Sequence, residues 1–188
     1  AAAMLSLFSL TAMTYVNNYP TGDNPFGIEL PAAARTLTVL ALYYSYTQDV
    51  SLLLGFFSKA QAVAEWLIAR REEALSYPQT DPRHGIPPGE NDPTAAIPAV
   101  MNHDTAPPYY YASAAEGYRA FAELGKVWVA VGNATGREDV AAHGARLVGL
   151  APTMYEDLHR SMNATVNTTA TGQRCWQATA DGTPVSSF

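Results

Sequence analysis

Residues 76–108 decide what this chain can fold into. The segment holds eight prolines and two glycines. Proline lacks both the N–H and the backbone freedom that a helix interior or a central strand requires. On either side of it apolar residues recur at helical spacing, so the chain has to be built from helices that meet around one long irregular connection. Connections of this length are unusual inside a domain and are normally functional or disordered. Aromatic, histidine and carboxylate side chains are scattered through this one, which points to function.

The spacing predicts five helices. Residues 1–16, which take in most of a first helix expected over about 2–17, are apolar and uncharged. They are short for a membrane span, which needs about 20 residues, and have no basic leader, so they read as a buried helix. A second helix should begin near Pro31, whose fixed φ suits a first turn, with Leu37, Leu40, Ala41 and Tyr44 on one face. Asp49 is placed to cap a third helix. Its buried stripe is expected to be Leu53, Phe56, Phe57, Ala60, Val63, Ala64, Leu67 and Ile68, with Lys59, Gln61, Glu65 and Arg71 off it. So few residues separate the second and third helices that they should form an antiparallel hairpin.

Beyond the loop, a fourth helix is expected from about Tyr109 to Val131, with Tyr111, Ala114, Ala115, Tyr118, Phe121, Ala122 and Leu124 on one side. Glu116 and Arg119 on it read as a surface pair. Thr135 and Glu138 have the spacing of a capping box for a fifth helix, whose face is Leu147, Ala151, Met154, Leu158 and Met162. Pro152 should kink or break that helix. Residues 163–188 read as an irregular tail. The fold class is therefore all-α, made of antiparallel helical hairpins.

Charge narrows the partners. Eleven Lys and Arg against seventeen Asp and Glu leave a net −6, with no basic stripe to neutralise phosphates or an anionic membrane surface. Neither nucleic acid nor membrane is expected. A single cysteine, Cys175, excludes an internal disulfide framework. The four histidines show no HExxH-like pairing, so no metal is expected. GxGxxG, P-loop and G-x-S-x-G signatures are absent and no cofactor is implied. Asn133-Ala-Thr, Asn163-Ala-Thr and Asn167-Thr-Thr are acceptor motifs for N-linked glycans, and three of them in the last third favour a secreted glycoprotein.

The stretch His84-Gly85-Ile86-Pro87-Pro88-Gly89-Glu90-Asn91-Asp92, followed by Tyr109-Tyr110-Tyr111 and a helix reading Ala-Ser-Ala-Ala-Glu-Gly-Tyr-Arg-Ala-Phe, resembles a segment of the six-hairpin glycosidases. The upstream helix with Glu65-Trp66-Leu67 looks like one from the same superfamily. The resemblance covers most of residues 30–165. It implies an (α/α)6 toroid whose active site lies where the long inter-hairpin loops gather. Twelve helices need far more than 188 residues, so residues 1–188 would be a single partial domain. The remainder of the same chain would then be its first partner, and 76–108 its functional loop.

The chemistry so implied is glycoside hydrolysis, inverting as in most of that superfamily, on a carbohydrate substrate. It needs one carboxylic acid to protonate the leaving oxygen and a second carboxylate to activate water. Glu90 is the first candidate for the acid, and Asp92 or a carboxylate from the rest of the chain is the candidate for its partner. His84, His103 and Asp104 could bond sugar hydroxyls. Tyr110 and Tyr111 offer flat rings for stacking. Two other readings stand beside this one: a non-catalytic helical carbohydrate-binding or scaffold segment, and a sugar lyase or epimerase on the same fold.

Overall fold

The computed structural model describes residues 30–89 and 109–182. The helix expected at 2–17, and Glu90, Asp92, His103 and Asp104, lie outside the described residues. Among the described residues five helices run in order: α1 (Leu30–Thr47), α2 (Val50–Gly55), α3 (Phe57–Ala74), α4 (Tyr111–Thr135) and α5 (Glu138–Ala164). A two-residue hairpin follows in the tail, β1 (Asn167–Thr168) against β2 (Arg174–Cys175), antiparallel, with Asn167 opposite Cys175. Among the described residues no helix is long and apolar enough to cross a membrane.

Local chemistry explains where most of these helices stop and start. Gln48, at φ 55, turns the chain out of α1, and its side-chain amide donates to the Tyr44 and Ser45 carbonyls that the helix end leaves open. The Asp49 carboxylate accepts from the Leu52 N–H at 2.9 Å and opens α2, the capping role its position predicts. The expected third helix is divided at Phe56 into α2 and α3. Its stripe is buried as expected, with Phe56 only half so.

Between α4 and α5 the expected capping box does not form. Thr135 is the last residue of α4 and its hydroxyl donates back to the Val131 carbonyl. Gly136, at φ 69, then closes α4 in the left-handed conformation that glycine adopts freely. Only Arg137 remains before Glu138 begins α5, which leaves Thr135 no room to act as a cap. Arg137 instead pairs in a fork with Asp139, at 2.8 and 2.7 Å. Pro152 does not break α5, which is continuous from Glu138 to Ala164; the proline ring is exposed on its outer face.

Small residues bring α4 and α5 together. A methyl on Gly125 would sit 2.9 Å from the Gly144 carbonyl oxygen, and one on Gly144 2.7 Å from that of Gly125. One on Gly132 would overlap the backbone of Ala141, and one on Gly117 would press on Met154. The partners run in opposite order along the two helices, so this is an antiparallel hairpin. The same close approach explains why the inner face of α4 is rotated from the expected one. Ser113, Gly117, Ala120 and Gly125 are buried, Ala115 is exposed and Tyr118 sits at the margin. Small side chains carry little weight in an apolar pattern, yet they decide which face can approach a neighbour.

The first hairpin lies against the second. Arg35 of α1 bonds Glu116 near the start of α4 at 3.0 Å. Phe57, at the start of α3, meets Trp128 late in α4 with ring centroids 5.1 Å apart. Arg71, near the end of α3, reaches Thr153 and Asp157 late in α5. Thus α3 runs with α5 and against α4, and α1 runs with α4. The expected Glu116–Arg119 pair is not made: Arg119 bonds Glu123 one turn on, because Glu116 is taken by Arg35. Most of the core lies between these helices, around Leu37, Leu53, Val63, Phe121, Leu124, Trp128 and Leu147.

The glycine contacts make a direct prediction. Gly132→Ala should cost about 1–3 kcal/mol, because the added methyl meets backbone that cannot step aside. Gly149→Ala, a helical position with open space around it, should gain up to about 1 kcal/mol. Urea unfolding of both variants checks this; equal stabilities would mean that α4 and α5 separate without cost.

Candidate functional site

The end of α3, the start of α4 and the end of α5 come together at one end of the hairpins, and residues 75–89 and 165–182 close over them. A small second core forms there from Ile86, Tyr111, Ala114, Leu158 and Ala180, with Tyr109 and Met162 packed against it. The backbone ties the layers. Tyr111 N–H donates to the Ala178 carbonyl at 3.1 Å, and Ala180 N–H to the Tyr109 carbonyl at 2.9 Å. Gly89 pairs in parallel with Tyr109, so the two described ends of the long loop stand side by side.

A nearly buried ion pair holds this end together. Arg71 donates to Asp157 Oδ2 at 2.5 Å, with both side chains at most 14% exposed. The other carboxylate oxygen of Asp157 accepts from Arg160 at 3.2 Å. The Arg160 guanidinium also donates to the carbonyls of Gln79 (2.7 Å), Asp81 (3.3 Å) and His84 (2.7 Å). Ser161 on α5 bonds the Pro82 carbonyl. Gly85 lies directly over Asp157: its φ is 76, and any Cβ there would overlap the carboxylate. The first half of the loop is therefore laid on α5 through its own carbonyls, which a guanidinium fork is shaped to collect.

Next to this clamp, Tyr77 and Tyr109 meet edge to face, with centroids 5.8 Å apart and hydroxyls 2.8 Å apart. The Arg83 guanidinium lies 4.1 Å from the centre of the Tyr77 ring and 5.9 Å from that of Tyr109, a cation–π arrangement. Asp81 fixes Arg83 in place at 3.0 and 2.7 Å, and that bond lowers the Asp81 carboxyl below its usual range. Burial, and then the Tyr77 hydroxyl, push the Tyr109 phenol well above its ordinary value. Tyr109 stays a neutral donor and acceptor.

The sequence-predicted residues fall as follows. His84 is half-buried, and its Nδ1 donates to the Tyr77 carbonyl at 2.6 Å. Tyr110 is half-buried and pairs with Thr179 through the backbone. Tyr111 is buried, and its hydroxyl is engaged by Ser161 (3.0 Å) and Thr165 (2.7 Å). Asn133, Asn163 and Asn167 are all exposed. The structure thus brings His84, Tyr110 and Tyr111 to one end of the molecule. It adds Tyr77, Arg83, Asp157 and Arg160, which sequence reasoning did not single out, and it moves Arg71 from the expected solvent side to a buried position. The signal for Arg71 was there: it stands three and four residues after Ile68 and Leu67, the spacing of the buried stripe itself.

A second buried polar group lies towards the other end of the hairpins. His143 on α5 is buried, with its Nδ1 3.5 Å from Glu65 and its ring 5.1 Å from Trp128. Glu65 is shared with Arg146. Burial lowers the His143 pKa, opposed by Glu65 and assisted by Arg146. Set against protein-family models, curated sequences and solved structures, the chain matches none.

Asp157→Ala strands the Arg71 charge in a nearly buried site and should cost about 3–5 kcal/mol. Arg160→Ala, by contrast, should leave the helices folded while hydrogen exchange at 79–86 rises at least tenfold; unchanged exchange would show that Arg160 does not hold the loop. For His143 the sign runs downward in pH. Above the unfolded value of 6.5 neither state binds the proton and the full stability is present. As pH falls below it, the unfolded chain takes a proton that the buried ring refuses, and stability is lost until the lowered folded value is reached. The stability gap between wild type and His143→Gln should therefore shrink from about pH 7 to about pH 5. Denaturant melts across that range measure it, and a constant gap would contradict the assignment.

Proposed function

We propose that this chain is part of a secreted, carbohydrate-active protein of the six-hairpin kind, working as an inverting glycoside hydrolase. The observation that supports this most is the arrangement of connections. Two helical hairpins lie side by side. The second is closed by a tight turn at Gly136–Arg137, and the two described ends of the long loop meet at the opposite end, with Gly89 beside Tyr109. A pair of tyrosines and a stacked arginine stand next to that point. Glu90 follows Gly89 directly in the chain. In this reading its carboxylic acid protonates the leaving oxygen, while Asp92 or a carboxylate elsewhere in the full protein activates water. His103 and Asp104 would bond sugar hydroxyls. The exposed acceptor asparagines support passage through a secretory pathway.

One observation favours the non-catalytic reading. The polar side chains described at the loop end are largely engaged inside the fold: Arg71, Asp157 and Arg160 with one another and the loop carbonyls, Tyr111 with Ser161 and Thr165. A segment of this kind could bind or scaffold without turning over. The lyase reading gains no such support from Tyr109, since a tyrosine base must lose its proton and burial holds that of Tyr109 in place.

Glu90→Gln in the full-length protein separates these readings. It keeps the shape and removes the proton donor. Turnover of glycosides with poor leaving groups should fall about 10²–10⁴-fold, and that of substrates with good leaving groups far less. Equal activity on both classes would make Glu90 an ordinary loop residue. Glycan binding by a wild-type protein that hydrolyses nothing would establish the non-catalytic reading.

A further inference from the structure

Tyr155, His159 and Asn163 stand four residues apart on α5, so their side chains line up on one face, and all three are exposed. The Tyr155 and His159 rings stack with centroids 6.0 Å apart and planes 25° apart. Tyr118, from α4, adds a tilted ring 5.5 Å from Tyr155. Asn163 Nδ2 donates to His159 Nδ1 at 3.1 Å. A row of rings thus ends at the asparagine of an Asn-Ala-Thr acceptor motif.

Helical side chains lean towards the helix N-terminus. Whatever is attached to Asn163 Nδ2 must therefore pass over His159 towards Tyr155. We propose that Asn163 carries an N-linked glycan whose first sugar lies on the shelf formed by His159, Tyr155 and Tyr118. In the transfer, an Nδ2–C1 bond forms as the C1–O bond to the diphosphate of a lipid-linked oligosaccharide breaks, and one amide proton leaves. The second amide hydrogen stays and can keep its bond to His159. The sugar's C–H face then covers the aromatic faces, as amphipathic rings accept. Neither other motif offers this. Val129, one turn before Asn133, carries no ring, and Asn167 sits on the short strand β1.

The structure also sets the order of events. The motif's hydroxyl, on Thr165, bonds Tyr111 at 2.7 Å and the Ser161 carbonyl at 3.2 Å. It is occupied once α5 is formed, so transfer precedes folding of that helix end.

The inference rests on the secretory part of the proposed function, and the test keeps the two apart. The full chain, expressed behind a cleavable leader in a eukaryotic secretory host, is mapped by glycopeptide mass spectrometry and trimmed enzymatically to one residual sugar. Asn163 should be occupied, and NMR should show contacts between that sugar and the His159 and Tyr155 ring protons. Asn163→Gln should lower Tm on the order of 2–4 °C, and no such loss should appear when Tyr155→Ala and His159→Ala are already in place. Asn163 unmodified in this host, or modified with no ring contact and no Tm difference, overturns the proposal. The mass of the protein from its natural source, before and after deglycosylation, tests secretion independently.

Discussion

Arg71 and Asp157 join the two hairpins at the end where residues 75–89 and 165–182 close over the helices. Each is charged, each is almost shut away from water, and neither could stay there without the other. A buried ion pair adds little net stability, since desolvation offsets most of the attraction. What it supplies here is position. Asp157 has a second oxygen to offer, Arg160 takes it, and the rest of the Arg160 fork gathers three carbonyls of the loop. A segment that proline prevents from making its own ladder thereby has its backbone acceptors met by a side chain. Gly85 follows from the same constraint, because the loop passes so close over Asp157 that no side chain fits between.

Towards the other end close packing carries most of the contact between α4 and α5. Gly125, Gly132 and Gly144 let α4 and α5 approach backbone to backbone, which puts Trp128, His143 and Phe57 into one aromatic cluster. The hairpin is thus closely packed where the turn is short and is tied by an ion network where the connection is long. A carbohydrate-active reading suits such a frame, because a firm helical scaffold is what allows a long loop to carry chemistry.

Much of the helical content is legible in the residues. The stripe from Leu53 to Ile68, the Asp49 cap and the inner face of α5 follow from apolar spacing and from the orphan N–H groups of a helix start, both of which are local. The charge of Arg71 points it outwards while its spacing points it inwards, and glycine and serine on α4 look neutral in a pattern that runs through Ala115. The capping box at Thr135 failed because Gly136 ended the preceding helix later than expected. For Arg71 and for the face of α4 the deciding partner lies on another element; at Thr135 it is the neighbouring Gly136.

By itself the sequence determined that the described residues are mostly helical, that their helices are paired by short connections, and that 76–89 is not a regular element. Those outcomes depend on backbone geometry and on spacing within a turn or two. Only the tertiary structure decided that Arg71 goes inside, that Arg160 spans 76 and more residues of chain to reach the loop carbonyls, and that Tyr77 and Tyr109 share a hydrogen bond across it. Contacts between groups so far apart in the chain leave no periodic trace, because burial and charge pairing act on distance in space and not on distance in sequence.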